Sequence, residues 1–406
     1  MRRLRRVDGH ETGAVVGPEA PLITIGVPGS FAWKVFHERH PAMIEQLCAA
    51  FPYGADVRGR LAELLRETTG GVVEPLGDDA PDHGVWAAWA ADRLGRPWSD
   101  CSFLWAESYF FRRLLAAVGY FEPGSWRGID PFAPMKEAEL RSAGTAEALA
   151  ALDALPRLSE ADRDDTVVRA AVWGNQADLA FRMSAGAEGT AAGLVTGDSQ
   201  VFWSLFGEPG PVHLVADNSA GELAADLVLT DHLLATGRAD HVVLHVKPAP
   251  YYVSDATPAD VVGVLRHLVG LAGEAGAVGR RIWDGLRDGR IEVRAHPFFC
   301  APLDYRAMPA DLRAELASAS VTIMKGDLNY RRLVGDRYWP ATTPFADVVG
   351  HFPSPVVALR VLKSEVVVGL DDATAAALDG TGDAWRTSGS HALVQAAVPG
   401  GAAVAR

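Results

Sequence analysis

The chain is short of cysteine. Its 406 residues hold three, Cys48, Cys101 and Cys300. They are far apart, odd in number and never in a C-x-x-C pair, which argues against a disulfide framework and a thiolate zinc site. Reduced, mostly buried thiols are the expectation. Positive charge is also short: 38 Lys and Arg stand against 51 Asp and Glu, a formal net charge of −13. A nucleic-acid partner would favour a basic patch or stripe, so none is expected. A small anionic substrate remains compatible, because a local group of cations can act inside an acidic protein. No uninterrupted apolar run is long enough to span a bilayer. The basic start, Met1-Arg2-Arg3-Leu4-Arg5-Arg6, runs into Val7-Asp8-Gly9-His10-Glu11 without the apolar stretch of a signal peptide. These absences predict a cytoplasmic protein with no membrane partner.

What is present is a large apolar fraction, 49%, enough for a sizeable core. Residues 1–28 read as a flexible N-terminus and 29–190 as a helical region. Residues 191–385 read as an α/β domain and 386–406 as a tail whose last dozen residues are disordered. Helical patterns cover 43–51, 57–67, 86–94, 103–118, 138–155 and 165–183, with Ser30 placed to cap a helix. In 103–118 the large apolar residues fall on or near one face. No strand is expected before about residue 192. Beyond it, β-branched runs at 212–216, 241–247, 291–295, 320–324 and 356–362 alternate with helical patterns at 221–236, 258–273 and 277–288. Residues 366–368 are a candidate sixth strand. This rhythm predicts a mostly parallel sheet covered on both faces.

Four strand ends carry polar side chains. The first is Asp217-Asn218-Ser219-Ala220-Gly221-Glu222, a strand-to-helix turn where open α/β sheets bind ligands and where the helix end favours an anion. The second is Lys247-Pro248-Ala249-Pro250-Tyr251-Tyr252-Val253-Ser254-Asp255, followed by Thr257, Pro258 and Asp260 in a near capping box. The third is Lys325-Gly326-Asp327-Leu328-Asn329-Tyr330-Arg331. The fourth is Arg360-Val361-Leu362-Lys363. Asp217, Asn218 and Asp255 offer oxygen ligands suited to magnesium or manganese, and also cobalt or nickel. Lys325, Arg331 and Lys363 would offset a phosphate's charge. A metal bridging a phosphate and a water lowers the water's pKa and aims it in line with the leaving group. Any one Asp or Lys at a strand end is most simply a cap or a solvated group; four in one sheet favour a site. Weaker candidates are Asn175 and Asp178, one face of a helical stretch. Glu107, Tyr109, Arg112 and Arg113 read as core and surface ion pairs. His213, His245 and His296 read as core or supporting groups and not as ligands.

These motifs resemble the metal-dependent damage-control phosphatase family, in particular the subfamily once described as acidic-residue (protein-glutamate) methyltransferases. The likeness is carried by Ser30-Phe31-Ala32-Trp33, Glu107-Ser108-Tyr109-Phe110-Phe111-Arg112-Arg113, Asp130-Pro131-Phe132-Ala133-Pro134 and Trp173-Gly174-Asn175. The strand-end motifs at Asp217, Asp255 and Lys325 carry it further. It spans residues 22 to 370. The resemblance implies a helical N-terminal region packed on a Rossmann-like α/β/α, doubly wound sheet. It implies Asp217, Asn218 and Asp255 as metal ligands, with Glu222 close by. Lys325, Asp327, Asn329, Arg331 and Lys363 fall in the segments that meet a phosphorylated metabolite. The subfamily's Arg-Thr-x-Lys signature has Val361 for Thr here, so the substrate range would differ if that hydroxyl holds substrate.

Three rivals compete. An S-adenosylmethionine-dependent methyltransferase would show a Gly-rich loop after its first strand, where this chain has Gly221 alone. Gly186 and Gly189 follow no clear strand. An aspartyl-phosphate phosphatase would need Asp at 219, where Ser219 stands. A non-catalytic sugar-phosphate or nucleotide-binding protein would share the same pocket.

Overall fold

The computed structural model describes residues 20–174 and 193–400. The β-branched runs form β2 (Gly210–Val215), β3 (Ala239–Val246), β4 (Ile291–Ala295), β5 (Val321–Lys325) and β6 (Val356–Val361), joined by β1 (Leu194–Thr196) and β7 (Ala392–Ala397). All seven lie in one sheet, in the order β1-β7-β6-β5-β2-β3-β4. Every pairing is parallel except that of β6 with β7. Side chains alternate between two hydrophobic clusters, as the two-residue period of a strand requires. Val212, Leu214, Val321 and Ile323 enter one; Val215 and Met324 enter the other. Helices Glu160–Trp173, Ala220–Ala235, Pro258–Val269 and Gly273–Arg287 cover the first face. Phe103–Val118, Ala310–Ala317 and Gly326–Val334 cover the second. This is the mostly parallel, doubly covered sheet expected from the sequence. Both clusters draw residues from either side of residue 190.

One topological feature positions the site. From β2 the chain moves outward to β3 and β4, then returns to place β5 on the other side of β2. The direction of winding reverses between β2 and β5, and a crevice opens beyond their carboxyl ends.

Several expectations need correction. Residues 20–28 are not a loose extension of the N-terminus: Ile23 and Ile25 are buried in the core, and Ile23 N donates to Asp336 O at 3.3 Å. The tail is ordered through 400, because β7 pairs along β6 and buries Ala392, Leu393 and Val394. Val366, Val367 and Val368 are buried but form no strand. The single pattern read over 138–155 breaks where Ser142 caps a new helix, Ala143–Ala151. The pattern read over 258–273 ends at Val269, and Gly273 starts the next helix at φ +68°. The Phe103–Val118 helix is not one-sided: 14 of its 16 residues are buried, because it is packed on all sides. All three cysteines are free, and only Cys101 is fully buried. Ser30 and Thr257 cap as expected, Thr257 in a full capping box with Asp260. Among the described residues no helix is long and apolar enough to cross a membrane.

Candidate active site

The turn after β2 is laced to the loop after β3 by backbone hydrogen bonds. Ala216 N donates to His245 O at 2.9 Å, Ala256 N to Asp217 O at 2.8 Å and Ser219 N to Ser254 O at 2.7 Å. Asn218 and Asp255 form an isolated bridge. Ala220, which opens the helix behind the turn, sits at φ +55°, a region costly for a residue with a Cβ. The side chains continue the lacing. Ser254 Oγ donates to Asn218 Oδ1 at 2.5 Å. Asn218 Nδ2 donates to Glu222 Oε2 at 2.8 Å and to Asp217 Oδ2 at 3.3 Å. Tyr252 N donates to Asp255 Oδ2 at 3.0 Å. Lys247 Nζ lies 3.1 Å from Asp255 Oδ1, yet that buried oxygen accepts no directed hydrogen bond.

The electrostatics favour an added cation. Asp217 and Asp255 are 5% and 2% exposed. Burial, then the carboxylates of Asp255 and Glu222, push the Asp217 pKa well above the usual range, against Lys247 and Lys363. Burial opposes the charge on Lys247, but Asp255 and Asp217 hold its ammonium protonated and raise its pKa. Lys247 therefore stands against two buried carboxylates, Asp255 and Asp217. The donor set, two carboxylates and an amide oxygen, is that of a hard divalent cation, and the orphaned Asp255 oxygen fits a ligand role.

The segment after β5 divides between the cavity and its support. Asp327 and Arg331 line the cavity, as does Lys363. Burial opposes ionisation of Asp327, but Arg360 and Arg331 hold its carboxyl below the ordinary range. Asp327 Oδ1 accepts from Arg360 Nε at 2.8 Å and from Lys363 N at 3.2 Å. Arg331 pairs with Glu107 and Asp336, each at 2.8 Å. Glu222, Lys325 and Asn329, read from sequence as substrate contacts, do not line that space. Lys325 shares a strand face with Val321 and Ile323, so its ammonium enters the opposite layer, 2.9 Å from Asp226 and 3.5 Å from Glu222. Asn329 Nδ2 donates to Lys325 O at 2.8 Å and Ala216 O at 3.1 Å, tying two strand ends together. Glu222 stands behind Asn218. Val361 belongs to the hydrophobic cluster on the far face, so its missing hydroxyl would not face substrate.

A cavity of about 560 Å³ opens over Asp217, Asn218 and Asp255, a size typical of small-molecule sites. Two residues close to it were not assigned from the sequence. Glu107, taken for a core ion-pair member, lines the cavity and holds Arg331. Lys247 is fully buried beside Asp255. Its signal was its place directly after a strand, which it shares with the other three polar strand ends. Arg112 and Arg113 form the expected ion pairs, with Asp82 at 2.5 Å and Glu67 at 2.7 Å. Asn175, Asp178, Gly186 and Gly189 lie outside the described residues.

A second group has ligand chemistry. The ligand atoms of His213, His245 and Glu315 lie within 4.8 Å of one another. The imidazoles hydrogen-bond each other at 2.9 Å, and Glu315 pairs with Arg294 at 2.8 Å. Burial lowers the pKa of His213 to about 4 and that of His245 to about 3. His296 accepts from Phe298 N as a cap.

The family model of the damage-control phosphatase ARMT1-like domain matches residues 35–378. Damage-control phosphatase ARMT1 of Mus musculus is 28% identical over 425 residues, covering 90% of this chain and 96% of that protein. The protein of that name from Danio rerio is 28% identical over 338 residues, 74% of this chain and 75% of its own. A solved structure of a DUF89 family protein from Pyrococcus horikoshii aligns over 86% of this chain and 94% of that one, at 15% identity and a TM-score of 0.46.

Proposed function

The chain belongs to the ARMT1-like damage-control phosphatase domain family, and from that premise we propose that it is a metal-dependent phosphatase of small phosphorylated metabolites. The observation that carries the reading is the cavity at the sheet's switch point, where Asp217, Asn218 and Asp255 stand beside Lys363. A divalent cation (manganese, cobalt, nickel or magnesium) held by those three residues would supply a Lewis acid for the phosphoryl group and activate water.

The chain's own groups do the rest. No ion pair ties Lys363 among the described residues, so its ammonium is available to the phosphoryl oxygens. Asp327 fixes the Lys363 backbone, and Glu107 and Asp336 fix Arg331, which presents its charge at the cavity wall. These preorganised cations stabilise charge that grows on the phosphoryl oxygens during transfer. Asp217 and Asp255 orient the attacking water. Its oxygen forms the new bond to phosphorus, the ester P–O bond breaks, and the alcohol leaves with a proton. Lys247, Glu222 and Asn329 act by holding Asp255, Asn218 and the strand ends in place.

The test is a panel of phosphorylated metabolites, assayed for phosphate release after chelation and after each metal is added back. Activity that disappears on chelation and returns with a divalent metal supports the reading. Turnover that survives exhaustive chelation contradicts it. So does stoichiometric S-adenosylmethionine binding, which would favour methyl transfer, or a trapped phospho-aspartate, which would favour the covalent route.

A further inference from the structure

The cavity has a second group of lining residues. Phe31, Val35, Arg39, His40, Met43 and Gln46 line the same space as Asp217. They come from one segment, in which a π-helical turn, Val35–Arg39, joins helices Phe31–Lys34 and His40–Ala50. Such turns recur at functional sites. His40 is 3% exposed, and neither ring nitrogen has a hydrogen-bond partner. Its ring stacks on Phe110 at 3.7 Å. Arg39 lines the cavity and is exposed, its guanidinium 5.5 Å from the Phe31 ring centre. Phe31 meets Phe103 edge-on at 6.0 Å, and Phe103 carries the Arg331 guanidinium at 4.0 Å. Arg39 is therefore two aromatic rings removed from the inner arginine.

The cations of the cavity divide cleanly. Arg331 is held in ion pairs with Glu107 and Asp336. Lys363 and Arg39 have no ion-pair partner among the described residues. One belongs to the segment that meets Asp327, the other to the N-terminal turn Val35–Arg39. The apolar part of the lining is Phe31, Val35, Met43, Phe111 and Leu328. Two cations without ion-pair partners and an apolar stretch, all lining one cavity, fit a ligand with an apolar body and two anionic groups.

Building on the phosphatase reading, we propose that the substrate is a phosphate monoester with an apolar body and a second anionic group. The body lies along Phe31, Val35, Met43 and Phe111, and Arg39 meets the second anion. Arg39 is then a specificity-determining residue and not a catalytic one.

Benzyl phosphate and 4-carboxybenzyl phosphate test this, with a sugar phosphate as the polar control. Phosphate release is measured from each in the presence of the supporting metal. The carboxylated probe is expected to have a kcat/KM at least about tenfold above that of benzyl phosphate, a difference of about 1.4 kcal/mol. The preference should reside in KM, shrink to within about twofold in Arg39→Ala and return in part in Arg39→Lys. Equal rates on both benzyl probes, a preference that persists in Arg39→Ala, or a strong preference for the sugar phosphate would overturn the inference while leaving the phosphatase reading intact. Release from none of the probes, sugar phosphate included, would overturn both.

Discussion

Gly326 and Asp217 compete for one space. Gly326 turns the chain from β5 into the next helix at φ +79°, and a Cβ built there would overlap the Asp217 carboxylate. The two strand ends that flank the switch point are thus fitted to each other, and glycine is required for both conformation and room. Gly326→Ala should strain the turn by about 1–2 kcal/mol and displace the carboxylate. The expected outcome is a Tm lower by a few degrees and phosphate release down at least about tenfold. Calorimetric melting and initial rates check it; wild-type turnover in this variant would contradict the geometry.

Lys325, which ends β5, and Lys363, two residues beyond β6, should behave oppositely. Lys325 is fully buried against Asp226, and removing it leaves an uncompensated charge, a loss of about 3–5 kcal/mol. Lys363 is half-buried at the cavity, and its removal should alter stability by no more than about 0.5 kcal/mol. Urea unfolding of Lys325→Met and Lys363→Ala, beside their rates, separates the roles. Lys363→Ala should fold normally and lose turnover at least about tenfold. Lys325→Met should lose stability first.

Acid should weaken the fold through its buried imidazoles. Burial, with Arg39 adding to it, lowers the His40 pKa to about 3, and burial takes His213 to about 4 and His245 to about 3. An unfolded imidazole titrates near pH 6.5. The unfolded chain therefore binds protons first as pH falls. The stability these groups protect is full above about pH 6.5 and declines from there toward about pH 4, by up to about 1.4 kcal/mol per unit for each histidine. Urea unfolding between pH 7.5 and 5 measures the slope. His40→Phe should flatten it by up to one proton; an unchanged slope would show that His40 titrates freely when folded.

Much of this architecture is legible in the residues themselves. The run read at 291–295 is β4 to the residue, and those read at 212–216 and 241–247 lie within two residues of β2 and β3. Buried β-branched runs between helical periods leave little else for them to be. β7 was missed because an Ala-rich, Gly-rich stretch carries little intrinsic signal. Its order comes from the β6 edge and from Gln395, which accepts from Tyr330 Oη at 2.9 Å. Asp217, Asn218 and Asp255 announced themselves as polar groups at strand ends. Glu107 did not, because its meaning depends on Arg331, 224 residues away. Lys325 is absent from the cavity lining for a different reason. Strand alternation places it with Val321 and Ile323, away from the cavity, and that parity was already present in the sequence.

The central claim is that Asp217 and Asp255 hold a catalytic divalent cation. Its most direct test is calorimetric titration of Mn2+ into chelator-stripped wild type, Asp217→Ala and Asp255→Ala, with phosphate release recorded on the same samples. The account predicts one site in wild type, no saturable binding in either variant, and turnover lost in both while the thermal transition persists. Wild-type Mn2+ affinity and turnover in both variants would contradict it.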